Sequence, residues 1–221
     1  MSNQLPTDYQ AFIHKSRYAK YHEGLGRESW SDTVTRFSNY VIGDMVDSDT
    51  KRQLEQAILG LEVMPSMRSL MTAGAAAERD NTCMYNCSYL AVDDLKSFDE
   101  AMFILLCGTG VGFSVERQSI SKLPEVPTLF ESETNIVVKD SKEGWAKSLR
   151  QLIALLYSGE VPTWDVTRVR PAGAPLKTFG GRASGPAPLV DLFNFTINTF
   201  RKAVGRKLSS IECHDIMCKI G

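Results

Sequence analysis

No apolar run in this chain approaches the roughly 18 residues that a membrane-crossing helix needs. The opening Met1-Ser2-Asn3-Gln4-Leu5-Pro6 also has no basic stretch followed by an apolar one, so a secretory leader is not expected. These absences give the expectation of a soluble, cytoplasmic protein. Charge of one sign is missing too: Lys and Arg total 25 against 26 for Asp and Glu. Nothing in that balance steers the chain toward nucleic acid or an anionic membrane, so any nucleotide must be gripped by local groups. Histidine is scarce, and His14, His22 and His214 are too scattered to form an acid–base constellation. Five cysteines without a leader argue against a disulfide framework and leave reactive thiols to be considered. Internal repeats are absent.

What is present is a chain of 221 residues, 43% hydrophobic, long enough for one large domain or a domain with a helical appendage. Residues 8 to 60 read as helical, with Phe12, Tyr18 and Trp30 among charges and Leu54, Ile58 and Leu61 at helical spacing before Pro65. Tyr89 to Val92, bounded by Asp93 and Asp94, has the look of a buried strand, which puts Cys87 at or just before its start. Ser97 to Glu100 has capping-box spacing ahead of a helix through Ala101, Met102, Leu105 and Leu106 that stops at Gly108. A strand is expected over Phe113 to Glu116, a surface excursion over 121–135 with Pro124 and Pro127, and a short β-branched stretch at Ile136 to Val138. Asp140 to Glu143 repeats the capping spacing, and Trp145, Leu149, Leu152, Ile153 and Leu156 mark one helical face ending near Gly159. The Gly- and Pro-rich stretch from Arg170 to Pro188 is too glycine-dense for a regular element and too long for an ordinary turn. Leu189, Leu192, Phe193, Ile197 and Phe200 then give a helix, and Ser209 to Glu212 caps another. Strands and helices alternate, which predicts an α/β class with helices covering a sheet.

Three segments invite chemistry. The run Gly108, Gly110, Gly112 is preceded by a helix and lacks a Gly-Lys-Ser/Thr ending, so it is neither a Rossmann nor a Walker loop. It serves either close approach of a flat ligand or another backbone, or a plain tight turn. Cys83 and Cys87 are separated by three residues with no second pair or nearby histidine, which disfavours zinc, and no metal site is expected. Cys87 is then either an accessible redox thiol or a small buried apolar residue. Cys107 and Cys218 fit the buried reading, and Cys213 fits either. Between Lys177 and Gly185, two cations, a hydroxyl and several glycines suit an anionic planar ligand, or else a mobile surface loop.

Several blocks, in order, resemble the adenosylcobalamin-dependent (class II) ribonucleotide reductases, particularly the ribonucleoside-triphosphate type and its compact viral relatives. They include Gly26-Arg27-Glu28-Ser29-Trp30, Met64-Pro65-Ser66-Met67-Arg68, Tyr85-Asn86-Cys87-Ser88-Tyr89, Gly108 to Phe113, Asp140 to Trp145, and Arg170 to Pro186. The resemblance implies the N-terminal part of a ten-stranded α/β barrel with a helical N-terminal cap, divided into a helical region over 1–62 and the first half of the barrel over 63–221. It implies thiyl-radical reduction of ribonucleotides, by resemblance the triphosphates, with Cys87 as one of the reducing cysteine pair. Ser66, Ser88, Gly110, Val111 and Gly112 are implied at the substrate, and Asp94, Lys177 and Arg182 at a deoxynucleotide effector. Adenosylcobalamin is implied as cofactor, bound largely by the portion after Gly221, together with a C-terminal reductase chain and a thioredoxin-like reductant. No Asn-x-Cys-x-Glu motif occurs in this chain, so the radical-bearing cysteine is expected elsewhere and the enzyme is expected to be split. A nucleotide-binding regulatory module without chemistry is the alternative, and a redox-inert fragment a third.

Overall fold

The computed structural model describes residues 5–22, 24–176 and 181–221. It resolves into two compact units, Met1–Asn86 with Leu176–Gly181, and Cys87–Pro175 with Arg182–Gly221. The sequence-based division at 62/63 falls inside the first of them.

In that first unit α1 (Asp8–Ile13) continues into a π-helical turn, and β1 (Tyr21–His22) pairs antiparallel with β2 (Gly26–Arg27). Then follow α2 (Trp30–Phe37), α3 (Ser48–Leu59), α4 (Met67–Thr72) and α5 (Ala75–Arg79). α2 starts where Ser29 and Asp32 cap each other, the Asp32 N–H donating to Ser29 Oγ at 3.1 Å and the Ser29 N–H to Asp32 Oδ2 at 2.9 Å. Its Trp30, Val34 and Phe37 share one helical face and meet Ile58, Leu70 and Ala73 in an apolar cluster. Of the expected stripe on α3 only Ile58 is buried; Leu54 is exposed, and Leu61 lies past the helix end with a φ of 61°.

The unit also has a charged centre. The buried Glu28 carboxylate accepts from Arg36 Nε and Nη2, both at 2.7 Å, from the Lys20 N–H at 3.1 Å and from Thr33 Oγ1 at 3.1 Å. Arg36 Nη1 donates onward to the carbonyls of Leu70 (3.0 Å) and Ala73 (2.9 Å), and Lys20 Nζ donates to Ala73 O at 2.7 Å. Burial alone would raise the Glu28 pKa, but the Arg36 hydrogen bonds, the Lys20 N–H, the Arg36 charge and His22 outweigh it and hold the carboxyl down at about 2. His14 is pushed the other way, below its ordinary value, first by burial and then by Lys15.

The second unit is built from two parallel strand pairs, each joined by a helix. β3 (Cys87–Ala91) leads through α6 (Lys96–Leu106) to β4 (Gly110–Ser114), and the short α7 (Arg117–Ile120) follows. β5 (Phe130–Val137) leads through α8 (Lys142–Tyr157) to β6 (Glu160–Asp165), and α9 (Ala187–Lys202) and α10 (Ser210–Ile220) complete the unit. Parallel strands need such crossovers, so the observed order carries out the α/β expectation. The core joins Phe98 and Ala101 of α6, Leu149, Leu152, Ile153 and Leu156 of α8, and Leu189, Phe193 and Phe200 of α9. A buried Asp99 also ties α6 to Arg150 of α8 at 2.7 Å. Among the described residues no helix is long and apolar enough to cross a membrane.

Three local expectations need correction, and one strand is unforeseen. Ser97 is not a cap: α6 begins one residue earlier, and Ser97 Oγ donates to Ala91 O at 3.0 Å, tying the helix back to β3. α8 is capped by Ser141, not Asp140, whose carboxylate instead pairs with Arg170 at 2.8 Å. The excursion over 121–135 ends at Phe130, where β5 starts. β6 had no counterpart in the sequence reading, because Pro162 discourages a strand. The structure accommodates it at a register shift, with Glu131 opposite Val161 and Asn135 opposite Thr163, so the proline falls where the regular ladder is interrupted.

Gly144 in the first turn of α8 has a steric reason: a Cβ there would run into the carbonyl and Cβ of Lys139. Because backbone is among the atoms struck, Gly144→Ala should lower the stability of the second unit by about 1–3 kcal/mol. The shift of the urea midpoint measures it, and an unchanged midpoint would refute the steric account.

Candidate active site

The segment around Cys87 is set by how α6 ends. Gly108, at φ 84°, takes the left-handed conformation just past the helix, and its N–H donates to Leu105 O at 2.8 Å while the Thr109 N–H donates to Ile104 O at 3.2 Å. The chain therefore reverses at once into β4. Only the first glycine of the run belongs to the turn; Gly110 and Gly112 are strand residues, where the sequence reading expected the strand to begin at Phe113.

β3 and β4 run in parallel with Cys87 opposite Gly110, Ser88 opposite Val111 and Tyr89 opposite Gly112. Side chains alternate, so Leu90, Val111 and Phe113 pack against the core while Cys87 and Tyr89 are exposed on the other face. Directly beside Cys87 and Tyr89 on that face the neighbouring strand places Gly110 and Gly112, both exposed. The result is a free thiol beside a strip of bare backbone. A Cβ on Gly112 would touch nothing closer than Ser88 O, at 3.6 Å, which is ordinary contact. Packing within the chain thus leaves room for a side chain at Gly112.

The other expected residues lie as follows. Ser88 Oγ donates to Gly110 O at 3.1 Å, pinning the two strands together beside the thiol. Val111 sits between the two glycines with its side chain toward the core. Ser66 is exposed in the first unit as the N-cap of α4, accepting from the Ser69 N–H. Asp94 is exposed just ahead of α6, and its Oδ1 accepts from the Lys96 N–H at 2.8 Å. Arg182 donates from Nη1 to Gly173 O at 2.8 Å. Lys177 lies outside the described residues. The stretch around it is more regular than its composition predicts: Gly173 and Ala174 bond to Ala183, Leu176 to Gly181, and Pro175 bridges antiparallel to Arg182. Gly185, at φ 74° and with Ala172 N only 2.9 Å from where a Cβ would stand, closes the base of this ribbon.

The cysteines now separate. Cys83, Cys107 and Cys213 are buried, and burial pushes the Cys213 thiol up to about 12. Cys218 was expected to be buried but is exposed, 3.5 Å from His214 Nε2. Tyr89, two residues from Cys87 on the strand, shares its exposed face, a neighbour that the sequence gives no role. Among the described residues no group of three or more His, Cys, Asp or Glu side chains could hold a metal ion.

Comparison with known proteins bears on this arrangement. A family model described as the B12-dependent ribonucleotide reductase insertion domain matches residues 125–200. The adenosylcobalamin-dependent ribonucleoside-triphosphate reductase of Lactobacillus helveticus is 26% identical over 283 aligned residues, covering 94% of this chain and 38% of that protein. That alignment is longer than the 221-residue chain, so the relative carries residues within the matched span that this chain lacks. A putative reductase of the same description from Mycobacterium phage D29 is 28% identical, covering 81% of this chain and 31% of its own length. A crystal structure of a B12-dependent (class II) ribonucleotide reductase superposes with a TM-score of 0.82 at 22% identity, over 95% of this chain and 39% of that one. The chain thus spans under two-fifths of the length of these relatives. In its sequence and its α/β fold, this chain resembles the N-terminal portion of an adenosylcobalamin-dependent, class II ribonucleotide reductase.

Proposed function

We propose that the chain is the N-terminal part of a B12-dependent ribonucleotide reductase and supplies one of its two reducing thiols, Cys87. The observation that carries this reading is the exposed thiol set beside the bare backbone of Gly110 and Gly112. The ribose of a nucleotide must come close to a thiol that reduces it, and a strand without Cβ atoms permits that approach. Holding the thiol on a strand pinned by Ser88 fixes its position better than a loop would. In this reading Cys87 and a second thiol from the rest of the enzyme deliver an electron pair to the ribose and close into a disulfide. A thioredoxin-like dithiol then reopens it by exchange. The two βαβ units form the first half of a ten-stranded barrel, and Asp94, Lys177 and Arg182 contact a deoxynucleotide effector.

Adenosylcobalamin would supply the radical that starts the chemistry. In this reading it is held largely by the remainder of the enzyme. A cavity of about 380 Å³ is lined by Glu131, Trp164, Asn198 and Arg201 among others, and includes neither Cys87 nor its glycine strip. No step is therefore assigned to this chain through that group.

The direct test combines the chain with a separately produced remainder of a class II reductase, adenosylcobalamin, a ribonucleoside triphosphate and a dithiol. Deoxynucleotide formed only when both polypeptides are present is the expected result, and its absence would overturn the reading. In the same assay Gly112→Ala should raise KM at least tenfold, about what one methyl group in a fitted pocket is worth. The chain's own stability should not fall, because the added Cβ has room. An unchanged KM would remove this strand from the substrate's path.

A further inference from the structure

A second thiol sits in a setting that this function leaves unused. Cys107 caps the C-terminal end of α6, its N–H donating to the carbonyls of Phe103 and Ile104 at 3.0 and 3.1 Å, and its side chain is fully buried. Lys142, the first residue of α8, reaches across so that its Nζ donates to Cys107 Sγ at 3.0 Å while lying 4.8 Å from the centre of the Phe103 ring. Burial disfavours the thiolate, the form that attacks oxidants, and a cation donating to the sulfur acts against that penalty. The ring contact holds the amine over the thiol.

We infer that Cys107 and Lys142 are a peroxide-responsive pair that closes into a covalent sulfur–nitrogen link between α6 and α8. Cys107 Sγ attacks hydrogen peroxide; an S–O bond forms, the O–O bond breaks, and the departing hydroxide takes a proton from the Lys142 ammonium and leaves as water, giving a sulfenic acid beside a neutral amine. The neutral amine of Lys142 then attacks that sulfur. An S–N bond forms, the S–O bond breaks, and the hydroxyl leaves as water with a proton from the amine. Sulfur has lost two electrons to the peroxide, and the pair has lost two hydrogens overall. Burial of Cys107 keeps bulky thiols from intercepting the sulfenic acid, whereas Lys142 Nζ is already in contact. A small dithiol reverses the link: one thiolate attacks Sγ, the amine leaves and takes up a proton, and the second thiol frees Cys107 as the dithiol becomes a disulfide.

The link would staple the Gly108 turn, and with it the start of β4, to the first turn of α8. This inference does not rest on the proposed reductase role. It is tested on the 221-residue chain by brief exposure to hydrogen peroxide, denaturation, tryptic digestion and mass spectrometry. The expected product is a peptide joining Cys107 to Lys142, lighter by two hydrogens than its two parts, uncut after Lys142 and lost on dithiol treatment. It should be lost in Lys142→Arg, which keeps the positive charge, and in Lys142→Met, with far-UV circular dichroism confirming that both variants fold. Recovery from the oxidised wild-type chain of unlinked Cys107, either as free thiol or as sulfinic acid, while Cys87 and Cys218 are oxidised, would overturn it.

Discussion

Cys87→Ser should abolish dithiol-dependent turnover in the reconstituted reductase, with kcat falling on the order of a thousandfold or more, as when a group that makes and breaks bonds is removed. Serine has nearly the size of cysteine but cannot form a disulfide, so the electron pair has no donor on this strand. Because Cys87 is exposed, the substitution should change the chain's stability by no more than about 0.5 kcal/mol. Nucleotide binding to the assembled enzyme should survive, since the glycine strip and the Ser88 bond to Gly110 are untouched. Multiple-turnover assays beside equilibrium nucleotide binding separate the two effects. Near-normal turnover by Cys87→Ser would mean that the thiol is not the reductant, and would favour a binding module without chemistry.

The largest expected effect on stability lies in the first unit, at Glu28. Glu28→Gln keeps the shape but removes the charge, leaving Arg36, whose side chain is only 16% exposed, against a neutral amide. Breaking one partner of a buried pair costs about 3–5 kcal/mol, a large share of the roughly 5–15 kcal/mol of a typical domain. The pH dependence has a definite sign. The carboxyl is held at about 2 in the fold against an ordinary 4.5, so its contribution is complete above the ordinary value and disappears as pH falls from there toward about 2. Wild-type chain should lose stability through that acid range, and Glu28→Gln should lack that part of the decline. Trp30, packed edge-on to His14 at 5.6 Å, is the only tryptophan in the first unit, so its fluorescence in a Trp145→Phe, Trp164→Phe background follows the transition. Identical urea curves for the two proteins at pH 7 would refute the role assigned to this network.

Much of the second unit was legible because its helices are strongly periodic. Leu149, Leu152, Ile153 and Leu156 on α8, and Leu189, Leu192, Phe193, Ile197 and Phe200 on α9, are all buried as their spacing predicts, and Ser209 caps α10 as its box predicts. What was misread depended on tertiary competition. Asp140 fits a capping pattern but is drawn off by Arg170, and Ser97 by the carbonyl of Ala91. β6 was hidden by Pro162, whose missing N–H matters less where the ladder is already irregular. For the site, the motif around Cys87 placed the thiol at a strand start, but only the register shows that Gly110 and Gly112 lie alongside Cys87 and Tyr89. Strand pairing across an intervening helix leaves no local trace in sequence. The Cys107–Lys142 contact was equally invisible, since its partners are 35 residues apart and neither belongs to a shared pattern.

The Glu28 network bears on where this polypeptide can be cut. Arg36 and Lys20 end on main-chain oxygens of Leu70 and Ala73, beyond the 62/63 division that the family resemblance implies. A truncation at 62 would leave both cations without those acceptors and would take Leu70 and Ala73 out of the apolar cluster around Trp30. The shortened piece should behave as a loose set of helices, so shuffling or recombining this region calls for a junction after residue 73.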